Sequence, residues 1–326
     1  MRMPLLDVRG LCIDYKLQNG YLRAVDSVSF QIDEGEVLGL AGESGSGKST
    51  IAHSILKILP RSTRVSGSIL VDGAEVVQMD DRATRAYRWK VVSLVPQGSM
   101  NAFDPVITIG SQIVESIRIH SDVDKAAAWR RTRELFSLVG IPESRVKGYP
   151  HEFSGGMKQR AAIAMALSLN PKLVILDEPT TALDVVVQRQ VIGLLVRLRR
   201  ELGISFLFVT HDLSVLSEIA TNVAVMYAGR LAEISTSEAL FASPNHPYSR
   251  ALIHAIPTLS GNLSLVRSIP GVPANVLNLP PGCKFHPRCP YVFERCRKEE
   301  PRLKRTDSGS SVACHLFDGS EKDGGE

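Results

Sequence analysis

The sequence predicts an α/β protein built on a doubly wound parallel sheet. A strand-rich region leads into it, and a small cysteine-bearing C-terminal module follows. Three observations carry this. Two apolar runs, Leu173–Leu176 and Ser205–Val209, read as fully buried parallel strands, with helical sequence over 185–201 between them. A glycine loop, Gly42–Thr50, stands between an apolar strand (VLGLAG) and a helical pattern. Beyond about residue 240 prolines recur at 244, 247, 257, 270, 273, 280 and 281, and four of the five cysteines follow.

The elements follow in order. Residues 5–40 alternate short apolar runs with polar turns (LLDVRG, CIDY, AVDSVSF), which reads as strands. Ile51, Ile55, Ile58 and Leu59 fall at helical spacing after the glycine loop. Residues 67–76 (GSILVDGAEV) carry a strand–Asp-Gly–strand hairpin signal. Residues 111–140 are polar and helical in pattern, and Pro142 and Pro150 mark a loop. The expected organisation is one large domain over 1–240, a module over 241–317 and a disordered tail over 318–326.

Composition narrows the function classes. With 326 residues, 44% hydrophobic and 22% charged, the chain can bury a sizeable core. A formal charge of +4 with no long basic run gives no case for nucleic acid. No apolar stretch approaches the roughly 18 residues needed to span a bilayer, and the start, MRMPLLDVRG, lacks the apolar stretch of a secretory signal. The chain is therefore expected in the cytoplasm, with any membrane-spanning helices supplied by other chains. Cys12 stands alone and reads as a buried strand cysteine. In a reducing compartment Cys283, Cys289, Cys296 and Cys314 suggest a metal or cluster site before disulfides.

Gly42-Glu43-Ser44-Gly45-Ser46-Gly47-Lys48-Ser49-Thr50 fits G-x-x-x-x-G-K-[ST] in its required strand–loop–helix setting. Glycines let the backbone wrap so that N–H groups face phosphate oxygens, and the helix N-terminus adds favourable partial charge. Lys48 would neutralise the β and γ phosphates, and Ser49 would hold Mg²⁺. A buried strand ends in Asp177-Glu178, where an open parallel sheet binds ligands. Asp177 would help hold Mg²⁺, and Glu178 would act as general base on water. His211 ends a second buried strand and could stabilise the transferring phosphoryl group. Gln97 follows the apolar run Val91–Val95 and could touch both water and Mg²⁺.

Phe153-Ser154-Gly155-Gly156-Met157-Lys158-Gln159-Arg160 resembles the signature motif of the ABC ATPases, with Phe153 in place of the commoner leucine. Ser154 can cap the following helix and leave the glycine amides free for an anion. The whole order then resembles that family over roughly residues 5–240. Tyr15 is similar to its adenine-stacking aromatic, Gly42–Thr50 to its P-loop, and Gln97 to its Q-loop. Asp177 with Glu178 resembles its Walker B end, Ala182-Leu183-Asp184 its D-loop, and His211 its switch histidine. The resemblance implies a P-loop ABC ATPase domain: a mixed sheet core, an antiparallel β region and a helical signature subdomain. It also implies two such domains packed head to tail around two ATP molecules. Ser154, Gly155, Gly156, Gln159 and Asp184 would then act in trans. The region Gln97–Pro105 would pass the motion to membrane subunits. A soluble DNA-repair ABC ATPase would need a long coiled-coil insertion between Lys48 and Ser154; no sustained heptads occur there. A translation-type ABC ATPase would need two sets of motifs.

Pro244-Asn-His246-Pro247-Tyr248-Ser-Arg-Ala-Leu252, the stretch Cys283–Pro290, and Cys296 and Cys314 resemble the C-terminal extension of oligopeptide and dipeptide importer ATPases. That resemblance implies a [4Fe-4S] cluster on the four cysteines. Thiolates in sets of four and a Cys-Pro step are compatible with it. Zinc is the rival, although five, six and seventeen intervening residues are unlike the tighter pairs of structural zinc sites; free or oxidised thiols are the third reading. The implied setting is the cytoplasmic membrane face. The implied partners are a different ATPase subunit rather than a second copy, two permease subunits and an extracytoplasmic solute-binding protein.

Overall fold

The structure, a computed structural model, describes residues 3–255 and 269–318. Strands β1 (Leu6–Leu17) and β2 (Gly20–Ile32) form an antiparallel pair. Strand β3 (Val37–Ala41) runs into the glycine loop and helix α1 (Lys48–Ile55). Strands β4 (Arg64–Val71) and β5 (Ala74–Glu75) make the expected hairpin through Asp72-Gly73, and β4 pairs with β1. Helix α2 (Asp81–Tyr87) and strand β6 (Val92–Val95) follow.

The helical pattern over 111–140 is two helices, α3 (Ile109–His120) and α4 (Lys125–Leu138). Asp124 breaks it, because its carboxylate accepts the Ala127 N–H at 2.6 Å and starts a new helix. Helix α5 (Gly155–Ala166) completes this lobe, where Phe136 meets Phe153 edge-on at 6.4 Å. Then come β7 (Leu173–Asp177), α6 (Val185–Leu202), β8 (Ser205–Thr210), α7 (Leu213–Ile219), β9 (Asn222–Tyr227) and β10 (Arg230–Thr236). The chain finishes with α8 (Ser237–Ala242), α9 (Pro247–His254), α10 (Glu294–Lys298), β11 (Lys304–Arg305) and β12 (Ser311–Val312).

Among the described residues one sheet has the order β2-β1-β4-β5 and the other β11-β12-β10-β9-β3-β8-β7-β6. The larger sheet is parallel from β9 to β6 and antiparallel beyond β9. Its side chains divide by the two-residue period of a strand. Val174, Leu176, Phe206, Phe208, Val223 and Val225 enter the core under the helical lobe. Leu173, Ile175, Leu207, Val209, Ala224 and Met226 enter the core shared with α1 and the antiparallel sheet. The apolar runs of β7 and β8 are thus covered on both faces, as uninterrupted apolar sequence requires.

The chain beyond residue 240 returns to this sheet. Strand β12 pairs with β10, and the Ala313 N–H donates to the Ala232 carbonyl at 2.8 Å. Asp318, assigned from sequence to the tail, accepts from Lys304 and lies 2.8 Å from His315 Nδ1. The rest of the expected disordered tail lies outside the described residues. Cys12 is half-buried rather than buried: its sulfur accepts the Ser27 N–H at 3.2 Å on the β1–β2 pair. No helix among the described residues is long and apolar enough to cross a membrane.

Candidate functional site

The loop Gly42–Gly47 ends the central strand β3 and opens α1. Gly47 has φ +100°, and a Cβ there would lie 2.6 Å from the Ala24 carbonyl oxygen, so no larger residue fits. Ser44 and Gly45 form an exposed crown, while Ser46 and Lys48 are buried. Lys48 curls back: its Nζ donates to the Gly42 and Glu43 carbonyls, both at 2.8 Å, and to Ser46 Oγ at 3.3 Å. Burial lowers its pKa from the ordinary value, against the opposing charges of Glu178, Asp177 and Glu43. Those carbonyls satisfy a cation that has lost its water.

Ser49, the second residue of α1, donates its hydroxyl to Asp177 Oδ1 at 3.0 Å, across 128 residues of sequence. His53 Nε2 lies 3.7 Å from the other oxygen of Asp177. Burial raises the Asp177 pKa, while the Ser49 hydrogen bond and the charges of His53 and Lys48 oppose it. A hydroxyl and a carboxylate oxygen side by side form a hard-oxygen pair suited to Mg²⁺.

Glu178 follows at φ 47°, in the left-handed region that costs a non-glycine residue about 1–2 kcal/mol. Its N–H donates to the Val209 carbonyl at 2.9 Å, which fixes the turn out of the sheet. Three side chains converge on its carboxylate. Gln97 Nε2 donates at 3.1 Å, Thr181 Oγ1 donates at 3.0 Å, and His211 Nδ1 lies at 3.1 Å. Burial pushes the Glu178 pKa up. Hydrogen bonds from His211 and Thr181, with the charges of His211 and Lys48, outweigh it and hold the carboxyl below its ordinary value. The arrangement is an ionised base, oriented by a histidine, at the mouth of an open parallel sheet.

Tyr15 on β1 is half-buried, and its hydroxyl lies 3.3 Å from Thr50 Oγ1, which seats the ring at the edge of the loop. Ser154 N-caps α5 by accepting the Met157 N–H at 3.3 Å. Asp184 N-caps α6 by accepting the Val187 N–H at 2.9 Å. Among the described residues neither side chain hydrogen-bonds to Lys48 or Glu178. Gln159 lies elsewhere again. It is buried, and its carbonyl oxygen accepts from Ser99 in the stretch after Gln97. One turn into α5, position 159 faces inward in this chain.

The expectation of an iron–sulfur cluster, or of zinc in its place, is corrected. Cys283, Cys289, Cys296 and Cys314 do gather around one cavity, but its volume is about 10 Å³, room for about one water. Among the described residues no group of three or more His, Cys, Asp or Glu side chains is arranged to hold a metal ion. Burial pushes the Cys283 thiol up to about 11 and the Cys314 thiol up to about 12, and raises that of Cys289. With no metal beside them, these groups are neutral thiols at pH 7. The neighbouring histidine is committed: His315 Nδ1 lies 2.8 Å from Asp318 and Nε2 lies 3.0 Å from the Glu299 carbonyl. Clustering in sequence foretold proximity, but not a cavity closed by packing.

Sequence reasoning passed over Glu43, Thr181 and His53. Glu43 is an unspecified position of the loop motif. Its carboxylate accepts a two-pronged hydrogen bond from Arg288, at 2.8 and 2.9 Å, and its N–H donates to Tyr248 Oη at 2.9 Å. Tyr248 had been singled out within Pro244–Leu252, but only for its resemblance. Glu233, a buried carboxylate, accepts the N–H groups of Asn245 and His246, both at 2.9 Å, and so fixes the start of α9. His246 Nδ1 accepts the Tyr248 N–H at 3.0 Å, and burial lowers this histidine's pKa to about 4, keeping it neutral.

Comparison with known proteins agrees with this geometry. The family model for ABC transporters matches residues 25–181, and that for the oligopeptide/dipeptide transporter C-terminal region matches 232–296. The chain is 42% identical over 315 residues to the oligopeptide transport ATP-binding protein OppD of Haemophilus influenzae, covering 96% of this chain and 97% of that protein. It is 39% identical over 316 residues to the dipeptide transport ATP-binding protein DppD of Escherichia coli, covering 96% and 97%. Among solved structures it resembles the dimeric ATP-binding cassette MJ0796 in a post-hydrolysis state bound to ADP and Pi. The TM-score is 0.64 at 26% identity, over 71% of this chain and 98% of that one.

Proposed function

The chain belongs to the ATP-binding subunits of the oligopeptide/dipeptide branch of ABC transporters; from that premise we propose that its ATPase activity drives uptake of dipeptides or oligopeptides through separate permease subunits. The observation that carries the mechanism is the carboxylate of Glu178, ionised and held by His211, Thr181 and Gln97 beside the phosphate loop. Gly42–Thr50 wraps the ATP phosphates, Lys48 leaves its carbonyls for the β and γ oxygens, and Tyr15 stacks on adenine. Ser49 and Asp177, with Gln97, would hold Mg²⁺, which would screen the phosphate charge. Glu178 takes the proton of the attacking water while His211 steadies the γ-phosphoryl group.

Ser154, Gly155, Gly156 and Asp184 open two helices, and neither cap hydrogen-bonds to this chain's own Lys48 or Glu178 among the described residues. That independence supports a role on the nucleotide of a second ATPase subunit, a different chain rather than a copy. Two permeases and an extracytoplasmic solute-binding protein complete the assembly at the cytoplasmic membrane face. Glu178→Gln is expected to keep MgATP binding, lower hydrolysis about 10²–10⁴-fold and trap a closed dimer. Full turnover in that variant would remove Glu178 as the base. A mild-detergent pull-down, followed by ligand screening of the captured binding protein, tests the peptide assignment; a protein that ignores peptides would overturn it.

A further inference from the structure

The C-terminal segment reaches the phosphate loop at one residue. Glu43 stands on the leg of the loop that rises from β3, below the exposed crown of Ser44 and Gly45. All its polar groups are engaged. Its carboxylate takes both terminal nitrogens of Arg288, its N–H donates to Tyr248 Oη, and its carbonyl accepts Lys48 Nζ. Two of these three attachments come from the C-terminal segment.

The arginine is built in rather than draped over the surface. Its side chain is 4% exposed, its Nε donates to the Pro270 carbonyl at 2.9 Å, and Nη1 lies 3.4 Å from Tyr227 Oη. Tyr227, Tyr248 and Phe285 pack ring against ring around it, with centroids 4.7–5.3 Å apart. Burying a guanidinium is costly unless its partners are fixed, and a planar fork on a carboxylate fixes position as well as charge. A loop that must present its N–H groups to phosphate binds best when it is held in that shape beforehand.

We infer that Arg288 and Tyr248 are positioning residues for nucleotide binding, acting through Glu43 to hold the phosphate loop and Lys48 in their binding geometry. The C-terminal segment is then a brace on the nucleotide site. This rests on the reading of Gly42–Thr50 as the ATP-phosphate loop.

The test is calorimetric titration of the full-length chain with MgATP, with the melting midpoint of the nucleotide-free protein measured alongside. Arg288→Met and Glu43→Gln are each expected to weaken MgATP about tenfold. The double variant should be no weaker than the worse single, because both changes cut the same link. Arg288→Lys keeps the charge without the fork and should recover part of the loss. Tyr248→Phe should weaken binding by a smaller factor. An Arg288→Met protein that binds MgATP within twofold of the parent, or a double variant whose losses multiply, would overturn the brace. If Arg288→Met does not fold, Glu43→Gln with Arg288→Lys carries the test, and unchanged affinity in both overturns it. Parent protein that ignores MgATP would sink the loop assignment itself, a different and visible failure.

Discussion

Glu178 shows how much one position can be asked to do. It leaves the sheet at a left-handed φ, yet three side chains from distant stretches meet on its carboxylate. Its acidity is a balance: burial favours the protonated form, and the histidine and threonine win it back. A group held below its ordinary value stays charged as the pH falls into the ordinary carboxylate range, about 4.3 for glutamate. Removing its principal partner must therefore move the titration upward. His211→Ala is expected to lower hydrolysis and to shift the acid limb of the rate profile to higher pH. A pH–rate profile of that variant whose acid limb coincides with the parent's would refute the pairing. At this scale the sequence was legible wherever a motif names its chemistry. Lys48, Ser49, Asp177, Glu178 and His211 all gather at one loop. It was silent where identity alone does not tell direction: Gln159 points inward, and the four cysteines line one small cavity without the arrangement of a metal site among the described residues.

Elements set the distances between these residues. The start of α5 lies against the start of α6 because Gly156 has no side chain: a Cβ there would stand 2.5 Å from Val187 Cγ1. Valine is stiff at χ1 and cannot turn aside cheaply. Gly156→Ala is expected to destabilise the chain by about 1–3 kcal/mol, read as a lower melting midpoint, and Val187→Ala in the same chain should restore most of the loss. No rescue by that second change would show that the two helices are not in steric register. The start of α5 was legible from its cap at Ser154, and the structure shows the same device at two more helix starts. Asp124, Ser154 and Asp184 each accept an N–H three residues on. What could not be read was the split of 111–140 into two helices, since Asp124 competes with the helix through its own side chain and leaves the apolar period unchanged. Nor could the role of Glu233 be read, because the amides it holds lie in another element.

At the scale of the molecule, two cores share one sheet, and β7, β8 and β9 feed both by simple alternation. That alternation was legible as unbroken apolar runs. The return of the last strand was not, since β12 is two residues long and carries no periodic signal of its own. Its pairing covers the edge of β10, and Ser310 Oγ meets Ser235 Oγ at 2.9 Å behind it. A chain ended after Glu300 is expected to melt lower and to scatter more light on standing, because an uncovered strand edge recruits others. Equal melting and scattering would show that the return strand is ornamental. The long reach of Arg288 to Glu43, 245 residues back, has a bearing on how the protein is made. The ribosome releases the nucleotide loop early and the arginine that steadies it late. Over those 245 residues of synthesis the growing polypeptide therefore carries a loop without its clasp. On the brace reading its ATP grip matures only once Arg288 has emerged, so a product terminated before that residue is both sticky and slack at the same stroke.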